Sequence, residues 1–320
     1  MISCSPQYIR YAAVAVMSLT KKQSRETNYS IFIFCTETGE EEHGQIQRLA
    51  DALPGNNTVR LINTNHEIKK RGFHFSVEKG QETAVGLLAA ELLPQLERII
   101  AVDSDVIIKR DLMELFTIPM EKSLVAGVRD YDFVGQYFSG NRSYIQYYDS
   151  QLKIREPENY LQGGVLVMNL SNFRSRFAPG ELFSEFVRSK YKYDEQDFLN
   201  IKCTDFRQIV DPRWNVLHDN DGYRRRYVIE LGPREYVSEY LKSREEPWII
   251  HFAGTDKPWI NVTCDFAQEF WDIVRQYPET LCDIPYPPAR EKPKMMSAIR
   301  KARNEFLRKK ALYLQGKRRR

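Results

Sequence analysis

The chain has 320 residues, 42% of them hydrophobic and 28% charged, the balance of a soluble globular protein with length for one large or two small domains. A net charge of +4 does not by itself imply a nucleic-acid partner, and five scattered cysteines without Cys-x-x-Cys spacing (Cys4, Cys35, Cys203, Cys264, Cys282) argue against a disulfide framework or zinc site and fit a reducing cytoplasm. No run approaches the roughly 18 apolar residues of a spanning helix, and no basic region followed by an apolar core marks a secretory signal.

Residues 1–5 are predicted as a short first strand, turning at Ser5-Pro6 into an apolar helix through Tyr8, Ala12, Val14, Ala15 and Leu19. A strand at 31–34, a polar helix near 41–53, a strand at 59–62 and a helix over 83–93 lead to a central strand at 98–102. This alternation predicts an α/β fold with a mostly parallel sheet covered on both faces, whose ligands bind at the carboxyl ends of strands. The central strand runs into Asp103-Ser104-Asp105, followed by Val106, Ile107 and Ile108. Next come a strand at 124–128 and a Tyr-rich stretch over 131–160, which reads equally as an acceptor-binding surface or an exposed helical insertion. Gln162-Gly163-Gly164 enters a strand at 165–168, and its glycines mark either a close backbone approach to a ligand or a bulge. A helix near 180–190 precedes Asp194-Glu195-Gln196-Asp197, a loop opening another helix, and a short strand at 209–210 precedes Trp214-Asn215. The last apolar strand, 247–252, ends in His251 and continues to Gly254 and Lys257. Residues 284–293 are proline-rich and read as a linker, after which 295–314 place apolar residues at helical spacing among Arg and Lys. The expected division is therefore a catalytic domain over 1–283 and a linker with a basic amphipathic helical tail over 284–320.

No Ser–His–Asp set, Cys–His pair or phosphate-cradling glycine loop is present. A bare buried carboxylate costs several kcal/mol, so Asp103 and Asp105 at a strand end need a cation, a partner or water. Side chains at i and i+2 point to the same side, so the pair can converge on one Mg2+ or Mn2+ that bridges to a diphosphate. An ordinary acidic turn is the plainer reading of Asp-x-Asp alone. His251 adds an imidazole to the same half-shell and Lys257 a point charge for the diphosphate, although a lone His at a strand end is more often a structural one.

With these motifs in place, the chain resembles glycosyltransferase family 8, retaining enzymes of the GT-A fold (a Rossmann-like mixed sheet flanked by helices). It is most similar in pattern to the bacterial galactosyl- and glucosyltransferases of lipopolysaccharide core synthesis. The matching segments are 99–105, 163–170, Glu195-Gln196-Asp197-x-x-Asn200, Trp214-Asn215 and His251-Phe252-x-Gly254-x-x-Lys257-Pro258-Trp259. The resemblance implies a UDP-hexose donor, with Asp103, Asp105 and His251 binding Mn2+ (or Mg2+) and Gly254 and Lys257 holding the diphosphate. It places Tyr8 and Gln7 at the uracil, Asp103 or Ser104 near the ribose, and Gln162, Gly163 and Gly164 along the sugar. Glu195 and Gln196 would face the transferring hexose. Retention through a covalent intermediate requires a nucleophile on the far face of the sugar. An amide is a poor one, which favours front-face attack with Gln196 stabilising the cation-like sugar, and Glu195 as the alternative nucleophile. A nucleotide-sugar-binding protein with little or no turnover is the second functional class.

The sequence departs from the family pattern at four places. Ser5-Pro6-Gln7-Tyr8 lacks the usual acidic residue, Gly86 stands where an arginine usually faces the donor, Gln162 replaces Asn and Glu195 replaces Asp. These leave glucose versus galactose open; Arg71, His74 and Lys79 are candidate replacements for the arginine. The basic tail fits attachment to an anionic membrane surface, on the cytoplasmic face and near a saccharide or lipid-linked acceptor. A solvated charge run and nucleic-acid binding are the other readings of that tail, and no nucleic-acid partner is expected.

Overall fold

The computed structural model describes residues 1–72 and 85–287. His74, Lys79, the start of the helix expected over 83–93 and the basic tail lie outside the described residues. The core is a seven-stranded mixed sheet in the order β3-β2-β1-β4-β7-β6-β8. Its strands are β1 (Ile2–Cys4), β2 (Ser30–Cys35), β3 (Thr58–Asn63), β4 (Arg98–Val102), β6 (Val125–Arg129), β7 (Leu161–Asn169) and β8 (Arg207–Ile209). The first four neighbours are parallel, and β7 is inserted antiparallel to both β4 and β6. Strand β2 sends Ile31, Ile33 and Cys35 into one buried cluster and Phe32 and Phe34 into another, which explains why it reads as an unbroken apolar run.

A second, three-stranded sheet joins β5 (Val106–Ile108), β10 (Ile249–His251) and β9 (Val216–Leu217) in the order β5-β10-β9. Asp103-Ser104-Asp105 is thus the segment on which the chain crosses from the large sheet to the small one.

Helix α1 (Ile9–Lys22) is buried along most of its length beneath the sheet. The continuous helix expected into residue 93 is instead a 3-10 turn, Val85–Leu88, followed by one turn, Ala89–Leu92. Gly86 weakens the first turn and Pro94 stops the second. The Tyr-rich stretch is not an exposed insertion. Helix α2 (Tyr131–Phe138) and the π-helix Tyr147–Leu152 bury Phe133, Tyr144 and Tyr148 with Tyr160 in an aromatic cluster, the Phe133 and Tyr160 rings stacked at 4.2 Å. Residues 194–197 form the first turn of helix α3 (Asp194–Lys202) rather than a loop before it. Several helices went unread in the sequence, the longest among the described residues being α4 (Arg234–Glu245) and α5 (Ala267–Gln276). Helix α5 buries Phe270, Trp271 and Ile273 in the core, which continues through Leu281 and Ile284. Among the described residues no helix is long and apolar enough to cross a membrane.

Candidate active site

The carboxyl end of β4, the entry of β7 and the carboxyl end of β10 meet at one edge. The Asp103 N–H donates to Gly164 O at 2.8 Å, and Phe252 N–H donates to Asp105 O at 2.9 Å, so the backbone itself fixes both acidic residues. His251 Nε2 lies 3.4 Å from Asp103 Oδ2 and 3.4 Å from Asp105 Oδ1. One ligand atom from each of the three lies within 4.8 Å of the others, a spacing that suits a single ion. The donors are two carboxylates and an imidazole, a set that suits Mn2+ or Mg2+ better than a thiophilic metal.

The imidazole is held from behind. Its Nδ1 pairs with Asn215 Oδ1 at 3.0 Å, and Asn215 Nδ2 donates to Gln162 Oε1 at 2.5 Å. With the Asn amide oriented this way, Nδ1 carries the proton and the lone pair of the neutral ring sits on Nε2, facing the carboxylates. Trp214-Asn215, in sequence only a family motif without a role, thus supplies the support of His251. Burial opposes charge on Asp105, but His251 and Lys257 outweigh it and hold that carboxyl far below the ordinary range. The Lys257 ammonium is bonded to Asp105 Oδ2 and to Phe252 O, so in this structure it neutralises Asp105 directly.

Burial alone would lower the His251 pKa; the Asp105 charge and hydrogen bonds to Asp103 and Asp105 reverse this and raise it to about 9. The stability supplied by that proton is fully present below the ordinary value of 6.5 and is lost as pH rises through about 9. A divalent ion competes for the same nitrogen. Mn2+ affinity is therefore expected to rise with pH between these values, by up to about tenfold per unit, with release of close to one proton. Calorimetric titration in buffers of different ionisation enthalpy measures it, and a pH-independent affinity would exclude His251 as a ligand.

Gly164 packs against this cluster: a Cβ there would fall inside contact distance of His251 Cε1 and 2.6 Å from Asp103 Oδ2. Gly163 packs instead on Gln196, where an added Cβ would stand 3.4 Å from Oε1. The register of β7 against β6 also shifts across these glycines, from Gly127 opposite Leu166 to Arg129 opposite Leu161, so they sit in a β-bulge and make room for site side chains as well. Gln162 spends its amide oxygen on Gly164 N–H and Asn215. Gly86, Asp103, Gly163 and Glu195 line a small cavity of about 50 Å3 beside the cluster. Gly254 has φ +110°, a conformation side chains rarely adopt, and the Asn220 side chain fills the space a Cβ would need; Asn220 Oδ1 accepts from the Thr255 and Asp256 N–H groups and so shapes the loop that carries Lys257. Asn220, in the turn Asn220-Asp221-Gly222, was the missed residue with a legible signal. Tyr8 meets the edge of Trp259 at 6.0 Å, and Gln7 is exposed at the same rim. Ser104 is buried between the two acidic residues.

A mixed sheet flanked by helices, with Asp-x-Asp leaving the carboxyl end of a central strand beside a histidine from a second small sheet, is the GT-A type of fold. The profile of glycosyl transferase family 8 matches residues 1–263, and the chain belongs to that family. It is 20% identical over 267 residues to the lipopolysaccharide 1,2-glucosyltransferase of Escherichia coli strain K12, covering 79% of this chain and 70% of that protein. It spans about half or less of the length of several other curated relatives. Among solved structures, the bifunctional glycosyltransferase WbbM superposes with a TM-score of 0.78 at 22% identity, over 88% of this chain and 50% of that one. The galactosyltransferase LgtC, in complex with donor and acceptor sugar analogues, superposes with a TM-score of 0.63 at 18% identity, over 86% and 94%. At these identities the structural likeness shows the fold.

Proposed function

We propose that the protein is a metal-dependent, retaining hexosyltransferase that moves glucose or galactose from a UDP-sugar to a saccharide or lipid-linked acceptor in lipopolysaccharide or surface-glycan synthesis. The observation that carries this reading is the convergence of Asp103, Asp105 and His251 beside the Gly163–Gln196 wall in a member of this family. Asp103, Asp105 and His251 hold Mn2+ or Mg2+, and a bound ion supplies Lewis-acid neutralisation of the leaving diphosphate. Gly254 offers backbone to that diphosphate, and Lys257, already within the charge cluster, adds a cation. Tyr8 and Gln7 form the nucleobase rim, Asp103 or Ser104 lies near the ribose, and Gln162, Gly163, Gly164 and Glu195 border the hexose. Gln196 presents an amide oxygen to positive charge developing at the anomeric carbon, which favours front-face attack; Glu195 is the alternative nucleophile.

The test is UDP release with Mn2+ from UDP-glucose and UDP-galactose, alongside UDP binding. Metal-dependent release from one donor is expected and identifies it. Metal-dependent binding without release, with or without saccharide acceptors, would favour the nucleotide-sugar-binding alternative. Absence of binding would overturn the reading.

A further inference from the structure

The Gln196 amide is held by partners of opposite type at its two ends. Nε2 donates to Asp130 Oδ2 at 2.9 Å and to the Tyr160 hydroxyl at 3.3 Å. Tyr160 gives its own proton to Asp197 Oδ1 at 2.6 Å, so towards Gln196 it only accepts. At the other end, Oε1 accepts the Gly163 backbone N–H at 2.8 Å, a group that only donates. Rotating the amide by a half-turn would set NH2 against that N–H and oxygen against a carboxylate. The charged member of the set is Asp130, buried at the start of α2, where its Oδ1 also accepts the Phe133 N–H at 3.1 Å.

We propose that Asp130 is a positioning residue for Gln196: its carboxylate pins Nε2 and thereby keeps Oε1 at the Gly163 wall, on the side of the donor pocket. This rests on the reading of Gln196 as the residue facing the transferring hexose. A charged acceptor on the NH2 group also polarises the amide, adding negative charge to the oxygen that meets the cation-like sugar. Burial and then the Asp132 charge push Asp130 up to about 6. The other groups facing it are Arg224, ion-paired to Asp132 at 2.8 Å, and the hydroxyls of Tyr144, Tyr148, Tyr160 and Tyr223. Burial raises all four tyrosines above their ordinary value, so none titrates near neutrality. Protonation of Asp130 turns it into a donor, and the amide loses its fixed sense.

The experiment is metal-dependent UDP release against pH for the full chain, Asp130→Asn, Gln196→Ala and the double variant. With Mn2+ held saturating at every pH, so that weaker metal binding in acid does not enter, the wild type is expected to lose kcat on the acid side with an apparent pKa near 6. Asp130→Asn should lack that limb and run about tenfold slower at pH 8, with KM for the donor changed less than about twofold, a loss confined to the transition state. In the Gln196→Ala background the same substitution should cost nothing further and the limb should already be gone. Because Asp130 caps α2, thermal melts accompany each variant, and Asp130→Ser, which keeps a cap acceptor, replaces Asn if that chain fails to fold. Wild-type kcat with an intact acid limb in Asp130→Asn, or losses that add in the double variant, would overturn the proposal and leave Gln196 in place. Wild-type kcat in Gln196→Ala would remove the underlying reading and this proposal together.

Discussion

Asp105→Asn is expected to lower metal-dependent UDP release by on the order of a thousandfold, about 4 kcal/mol of transition-state stabilisation. No other side chain in the site serves as many positive groups. One Asp105 oxygen faces His251 Nε2 at 3.4 Å and the other holds the Lys257 ammonium, so the imidazole, the lysine and the proposed ion would all depend on it. Its side chain and that of Lys257 are each only 10% exposed, so water cannot substitute for the lost charge. An amide of the same shape keeps one acceptor oxygen but no charge to balance the ammonium, and its NH2 group faces either the lysine or the histidine; breaking a buried ion pair by removing one charge costs several kcal/mol. The fold is therefore expected to soften as the activity disappears. Steady-state release and thermal melts with and without Mn2+ check both parts. The wild type should gain thermal stability from the metal and the variant should not. Rates within a few-fold of wild type would exclude Asp105 from the metal shell. Asp103, whose side chain is 49% exposed, should cost comparable activity but far less stability.

Gly164→Ala should be nearly as damaging, although it removes no functional group. The added methyl would overlap His251 Cε1 and stand 2.6 Å from Asp103 Oδ2, so it must displace two candidate ligands at once. Neither side can give cheaply, because His251 is buried and tied to Asn215, and Gly164 O is bonded to the Asp103 N–H. A loss of about a hundredfold or more in UDP release, with weakened Mn2+ binding, is expected. Gly163→Ala is the internal comparison. Its methyl would sit 3.4 Å from Gln196 Cβ and Oε1, where a shift of a few tenths of an ångström suffices, so a loss below about fivefold is expected. Equal effects from the two substitutions, read by the same release assay and by Mn2+ titration, would mean that the tightness at Gly164 does not govern the metal site.

The two glycines show how far local sequence reaches. Consecutive Gly at a strand entry signals close approach, but which one faces the histidine and which the glutamine is set by the pleat of β7 and by two elements far away in the chain. The same holds for the tyrosines over 131–160. Their composition is compatible with a polar surface, and their burial is decided by Phe133, around which Tyr148 and Tyr160 pack. Helix α4 escaped notice because its charged faces mask the few buried positions, Tyr240 and Ser243 among them.

What the sequence determined by itself was the alternation of apolar strands and helices, the acidic pair at the end of the central strand, and the histidine, glycine and lysine at the end of the last. These are legible because strand runs, turn glycines and short-range spacing are local properties of the chain. Only the tertiary structure decided that β7 runs antiparallel between β4 and β6, that Asp103-Ser104-Asp105 bridges two sheets, and that Lys257 is bonded to Asp105. It alone placed Asp130, Tyr160 and Asn215 behind the residues named from sequence. The physical reason is that a buried polar group takes whatever partner the packing brings to it, often from more than thirty residues away, as with Asn215 and His251 or Asp130 and Gln196.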